Sequence, residues 1–265
     1  MQLEPTGERM ILEHYKSSAE DFVIYLLHAA TYRFAEPITR GKRVLDYGCG
    51  SGYGSAEIAV GAAHVVAIDV AKDAIAYARE TFVRDNLEFR TIDPTQPLPF
   101  ADASFETVLS FQVFEHVNDR AHYLAEIRRV LAPGGQLVLV TPDRSTRLLP
   151  GQRPWNRWHV HEYGKSELAR TLSSHFEQVE VLGMTGQTDM IEIEVRRCRK
   201  IKWLTLPFTL PIVPDSWRVA GLNLIHRLRG EGARTGAPRD FPWSIDQVTI
   251  APDASPSVNL VAIAS

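Results

Sequence analysis

Val44-Leu45-Asp46-Tyr47-Gly48-Cys49-Gly50-Ser51-Gly52-Tyr53-Gly54 is the stretch on which the reading of the chain turns. An apolar run carries an acid near its end and passes into alternating glycines, and a helix is expected from about Ser55. Residues without a Cβ let the backbone turn sharply and approach a ligand, and a helix start offers it unpaired N–H groups. A dinucleotide-binding loop is similar in composition, but its spacing is Gly-x-Gly-x-x-Gly. Counted from Gly48, Gly50 or Gly52, the third required glycine is absent; from Gly50 its place is taken by Ser55. Asp46 would repel a pyrophosphate, whereas it can accept a hydrogen bond from an ammonium group. The loop favours a cofactor with an amino-acid moiety.

Outward from this loop, short apolar runs alternate with amphipathic segments. Strands are expected at Arg43–Tyr47, His64–Val70, Leu87–Ile92, Phe105–Phe111 and Gln136–Thr141, rich in the Val, Ile, Leu and Phe of strands buried on both faces. Helices are expected at Ser18–Phe34, Asp73–Phe82 and Asp119–Leu131, the last stopped by Pro133-Gly134-Gly135. Such alternation specifies a doubly wound α/β fold with right-handed crossovers. After Ser145 the rhythm changes. Leu148 to Tyr163 reads as a loop, followed by a helix (Ser166–Ser174), a strand (Phe176–Leu182), an insertion from about 184 to 240 and a final strand (Val258–Ile263). The expected whole is one domain: 1–40 an N-terminal helix and lid, 41–145 the cofactor-binding core, 146–183 the acceptor side, 184–240 the insertion and 241–265 the last strand. Its sheet would have seven mostly parallel strands, with the last pair antiparallel.

The chain as a whole is consistent with this. At 265 residues, 45% hydrophobic and 23% charged, it can bury a substantial core, and a net charge of −3 gives no global pull toward nucleic acid or an anionic membrane. Its two cysteines, Cys49 and Cys198, have no metal-ligand spacing and argue against a disulfide framework. The start lacks the basic-then-apolar order of a signal peptide, and the longest apolar stretch, Trp203 to Val213, contains Pro207 and Pro211. A cytoplasmic location is expected.

The glycine loop and the motifs after it resemble the class I S-adenosylmethionine-dependent methyltransferases, whose first motif is an apolar pair, an acid and Gly-x-Gly-x-Gly. Asp46, Gly48, Gly50 and Gly52 match it. The series continues with Ile68-Asp69-Val70 at the second strand end and Ile92-Asp93 at the third. Leu98 to Phe105 then matches the entry to the fourth strand, Ser110-Phe111-Gln112-Val113-Phe114-Glu115-His116 its exit, and Val130 to Gly135 the turn before the fifth. The resemblance implies S-adenosylmethionine as cofactor, with Asp69 on the ribose hydroxyls and Asp93 on the adenine amino group. Val70, Phe111 and Gln112 complete the expected cofactor set, since strand ends in open α/β sheets face the ligand crevice.

Methyl transfer from a sulfonium is an in-line displacement in which the protein supplies alignment, exclusion of water and removal of a proton. For a hydroxyl acceptor the expected base is His116, with Glu115 beside it and His159 as the alternative; Glu115 or Glu162 would orient the His116 ring. His116, His159, His161 and Glu162 could form a divalent metal site, but histidines two apart in a loop do not specify one, and no metal ligand is assigned. Asn156, His159, Glu162, Tyr163, Glu167 and Leu168, with Thr6-Gly7-Glu8-Arg9, resemble bacterial methyltransferases of sugars and cell-surface glycans, including mycobacterial saccharide enzymes. Arg157 and Gly164 depart from that pattern. The resemblance implies O-methylation of a saccharide hydroxyl. The alternatives are a small aromatic or quinone-like acceptor, as in the menaquinone-type C-methyltransferases, and a binding protein that has lost chemistry. The insertion, with its basic run before Trp203, reads as a surface helix packed on its own domain, with a lid, a homo-oligomer contact or a membrane-surface element as the alternatives.

Overall fold

The computed structural model describes residues 15, 18–229 and 240–265. The expected lid segment around Thr6–Arg9 lies outside them. Eight strands form one sheet: β1 (Arg43–Tyr47), β2 (His64–Asp69), β3 (Leu87–Thr91), β4 (Phe105–Phe111), β5 (Leu131–Pro142), β6 (Val179–Gly186), β7 (Val248–Ala251) and β8 (Asn259–Ala264). Their order is β3-β2-β1-β4-β5-β8-β6-β7. β1 to β5 pair in parallel, whereas β8 runs antiparallel between β5 and β6.

The helices are α1 (Ala19–Thr39), α2 (Tyr53–Ile58), α3 (Lys72–Thr81), α4 (Arg120–Val130), α5 (Arg144–Arg147), α6 (Lys165–Ser173), α7 (Thr188–Thr209) and α8 (Asp215–Arg229). Ser18 starts α1 by accepting from the Asp21 amide, and Asp119 starts α4 by accepting from that of His122. Successive side chains of a strand point to opposite faces. Val44, Val138 and Val140 therefore pack in the core that includes Leu26, Tyr32 and Met190 from α1 and α7. Leu45, Leu137 and Leu139 pack in the other, with Leu124 and Ile127 of α4 and Leu168 of α6.

Three expectations need correction. The sheet has an eighth strand, β7, which adds to the β6 edge and pairs Val248 to Ala251 with Gly186 to Gly183. The segment expected as an insertion from 184 begins later, because β6 continues through Gly186; it holds the long helices α7 and α8. Pro133-Gly134-Gly135 lies within β5, whose register against β4 shifts between Phe105 and Thr107.

The chain enters the sheet at β1, moves outward to β3 and returns to β4 on the other side of β1. The topological switch point is therefore between β1 and β4, where open α/β sheets place their ligands. The glycine loop leaves one of these strands and the Gln112–His116 segment leaves the other.

Candidate active site

The glycine loop is locked to its neighbours. Gly48 has φ +90°, and a Cβ there would lie 2.2 Å from Val113 Cγ2, so the two strand exits touch only because Gly48 has no side chain. At Gly54, which the motif does not require, a Cβ would meet the Tyr32 ring at 2.1 Å. The Gly48 and Cys49 amides donate to the Ile68 carbonyl, and the Gly50 amide donates to Asp69 Oδ2 at 2.9 Å. Asp69 Oδ1 accepts from the Ala71 amide at 2.8 Å. Asp69 therefore braces the loop, and each of its oxygens retains further acceptor capacity. Val70 beside it is exposed.

Asp46 is buried, on the α1 face of the sheet. Its Oδ2 accepts from Ser55 Oγ at 2.6 Å and Tyr32 Oη at 3.3 Å, while Oδ1 is buried with no hydrogen-bond partner among the described residues. Burial pushes its carboxyl up to about 6, against the opposing hydrogen bonds from Ser55 and Tyr32. An unsatisfied buried acceptor fits a cationic donor. Tyr53, directly after Gly52, packs with His28 and Tyr32, and His28 Nδ1 lies 2.5 Å from Tyr53 Oη. Burial lowers His28 to about 4, so this imidazole is neutral at pH 7. Burial also pushes the Cys49 thiol well up, leaving it protonated.

The other expected cofactor residues divide. Gln112 has φ +56°, an uncommon backbone state for a residue other than glycine and one that gathers at ligand sites. Its amide donates to the Val140 carbonyl, and its Nε2 donates to Asn259 Oδ1 at 3.3 Å. Phe111 is a core residue, edge-on to Tyr32. Asp93 is exposed, and its Oδ1 accepts from the Thr95 amide and hydroxyl in a local turn; those bonds hold its carboxyl below the usual range. The structure brings Asp46, Asp69 and the glycines together, sets Gln112 next to the Val113 that meets Gly48, and turns Asp93 onto Thr95.

Beyond Gln112 the chain makes one 3₁₀ turn, Phe114–His116. The Val160 and His161 amides both donate to the Glu115 carbonyl, which pins the loop after β5 onto this turn. His159 is thereby set edge-on to His116, with ring centroids 4.8 Å apart. Ligand atoms of Glu115, His116 and His159 all lie within 4.8 Å of one another, a cluster that one proton or one cation could share. Glu115 Oε2 accepts from Thr141 Oγ1 at 3.0 Å, and Oε1 is buried with no hydrogen-bond partner among the described residues. Burial raises its carboxyl, against the pull of His159 and His116.

Both imidazoles have an assigned tautomer. His116 Nδ1 is 3.1 Å from the Trp158 carbonyl, which can only accept, so Nδ1 carries the hydrogen. His159 Nδ1 is 2.7 Å from Glu162 Oε1, and Arg147 Nε donates to Glu162 Oε2 at 3.0 Å. Burial alone would raise Glu162, but the Arg147 charge and His159 bring it to about 2. An ionised carboxylate accepts only, so His159 Nδ1 is also the protonated nitrogen. In each neutral ring Nε2 is then the basic atom. Glu162 thus orients His159, not His116, and His161 pairs separately with Glu167 at 2.7 Å. Tyr32, Ser55, Thr141 and Arg147 were not among the expected site residues. They support the site from α1, α2, β5 and α5, and only the fold brings them near.

Residues 45–139 match the family model described as a methyltransferase domain. A probable S-adenosylmethionine-dependent methyltransferase of Mycolicibacterium smegmatis is 34% identical over 249 residues, covering 93% of this chain and 93% of its own. The demethylmenaquinone methyltransferase of Clavibacter sepedonicus is 40% identical over a shorter stretch, 43% of this chain and 46% of its own. Among solved structures, an S-adenosylmethionine-dependent methyltransferase of Thermotoga maritima superposes with a TM-score of 0.57 at 12% identity, covering 95% of this chain and 97% of that one. The glycine loop at the switch point, the buried acid beneath it and a relative matched along nearly its whole length lead to one conclusion: the chain belongs to the S-adenosylmethionine-dependent methyltransferases.

Proposed function

We propose that this methyltransferase methylates a hydroxyl of a sugar or glycan-type acceptor, and that the Glu115–His116–His159 cluster takes the hydroxyl proton. Bound S-adenosylmethionine supplies an electrophilic methyl group on a sulfonium. Asp46 would accept from the cofactor's ammonium group, Asp69 from its ribose hydroxyls, and Val70 would cover the base, with Asp93 a further candidate for the adenine amino group. His116 Nε2 removes the acceptor's proton. The neighbouring Glu115 carboxylate and His159 ring, backed by Glu162, favour the imidazolium so formed. General-base help of this kind is worth about 10²–10⁴-fold in rate.

The observation that carries this reading is the tautomer-fixed pair of imidazoles beside a buried carboxylate at the exit of β4. A second reading has support too: the stretch similar to a demethylmenaquinone methyltransferase favours a quinone-like acceptor. A screen of sugars, glycosides, phenols and hydroquinones, read as S-adenosylhomocysteine release and by mass spectrometry of the product, separates them. Methyl ethers formed only on saccharides support the first; turnover confined to phenols or hydroquinones replaces it with the second.

A further inference from the structure

The second half of α7 buries Ile201 but leaves large apolar side chains on its outer side. Its buried side carries Thr205 and Thr209, whose hydroxyls donate to the Ile201 and Thr205 carbonyls of their own helix, and Gln152 Nε2 donates to Thr209 Oγ1. Its outer side carries Trp203 and Leu204, 57% and 51% exposed. The outer side of a helix packed on its own domain is ordinarily polar. The turn after α7 and the start of α8 add Ile212 and Trp217, 86% and 71% exposed. Several large apolar side chains exposed on neighbouring elements mark an interaction site.

The tip is preformed. Arg153 Nη1 donates to Asp215 Oδ1 at 2.9 Å, and Arg153 Nη2 donates to the Val213 carbonyl. The Arg153 amide donates to the Thr209 carbonyl. Up the same outer stripe, three and four residues apart, stand the exposed Arg199 and Lys200, and one turn further Arg196, which pairs with Glu192. Arg197, by contrast, is held inward by Glu194.

We propose that the α7–α8 tip is a docking surface for an anionic lipid bilayer, with Trp203, Leu204, Ile212 and Trp217 entering the interfacial region and Arg199 and Lys200 meeting the headgroups. Charge selects this occupant. A twofold contact through the stripe brings like cations together, whereas an anionic surface neutralises them. Two tryptophans at the apolar end match the preference of that side chain for the membrane–water boundary. No helix among the described residues is long and apolar enough to cross a membrane, so the attachment is peripheral. Docking is independent of the acceptor's identity. It also places the bilayer at the loop that carries both Arg153 and His159.

The test uses the full chain with vesicles of phosphatidylcholine alone and of phosphatidylcholine with phosphatidylglycerol, at low and high salt, read by flotation and tryptophan emission. The expected result is binding to the anionic vesicles at low salt, with a blue shift, and release by salt. Arg199→Glu/Lys200→Glu should weaken partitioning by about fivefold or more per charge, and Trp203→Ser/Ile212→Ser should abolish the blue shift. Cofactor affinity should be unchanged in both variants. No binding of the parent to anionic vesicles, or equal binding by parent and variants, overturns the proposal. So does light scattering that shows a parent dimer converted to monomer by Trp203→Ser/Ile212→Ser, which would assign the surface to a second copy.

Discussion

His159 meets His116 edge to face, with ring centroids 4.8 Å apart and planes at 89°, because the Glu115 carbonyl accepts two amides of the His159 loop. One ring leaves β4 and the other lies in the loop beyond β5. Their relation depends on backbone hydrogen bonds and on Glu162, and each can be broken separately.

Glu162→Gln should therefore uncouple orientation from chemistry. It leaves the Arg147 guanidinium buried over the Trp155 ring without its carboxylate, a loss of about 3–5 kcal/mol for half of a buried pair. Thermal melting checks this. The folded-state carboxyl, at about 2, lies below its unfolded value, so the stabilisation is fully present above about 4.5 and is lost as the pH falls through about 2. Parent and variant should converge on acidification.

Asp46→Asn should have the opposite sign. Its folded-state carboxyl, at about 6, lies above the unfolded value of 3.8, so stability is fully present below 3.8 and is lost as the pH rises through about 6. The ligand-free Asn variant should be the more stable protein at neutral pH, by up to about 2–3 kcal/mol. It should nevertheless bind S-adenosylmethionine more weakly, because a neutral amide replaces the partner proposed for its ammonium group. Denaturant melts and calorimetry across pH 4–8 measure both.

Asp69→Ala should cost cofactor affinity twice over, through the ribose contacts proposed for it and through the Gly50 and Ala71 amides it releases. Charge-assisted bonds of this kind are worth roughly 1.5–3 kcal/mol, about tenfold to over a hundredfold in Kd. Asp93→Ala should change Kd little if its turn with Thr95 is its whole role; calorimetry on the pair ranks the two acids.

Much of this was legible in the chain. The parallel half of the sheet was marked by runs buried on both faces and by a glycine spacing with few alternatives, so β1 to β4 formed where the pattern put them, with Asp46, Asp69 and Gln112 at or beside strand ends. Short strand β7 was not, since Val-Thr-Ile-Ala at a sheet edge has too little apolar period to stand out from a loop. Nor were the site's supports. Tyr32 reaches Asp46 across the α1–β1 contact, and Arg147 reaches Glu162 around a loop; such pairings follow from tertiary packing and leave no local spacing. Asp93 shows the converse, a motif position whose Pro94-Thr95 neighbours turned its carboxylate onto the local backbone.

The most direct test of the account compares His116→Gln with the parent on a saccharide acceptor, measuring kcat by S-adenosylhomocysteine release and cofactor Kd by calorimetry. The expected result is a fall in kcat of at least about a hundredfold with Kd nearly unchanged, while His159→Gln loses less. Near-parent turnover by His116→Gln, with His159→Gln the variant that fails, would contradict the assignment and make His159, on its Glu162–Arg147 support, the base.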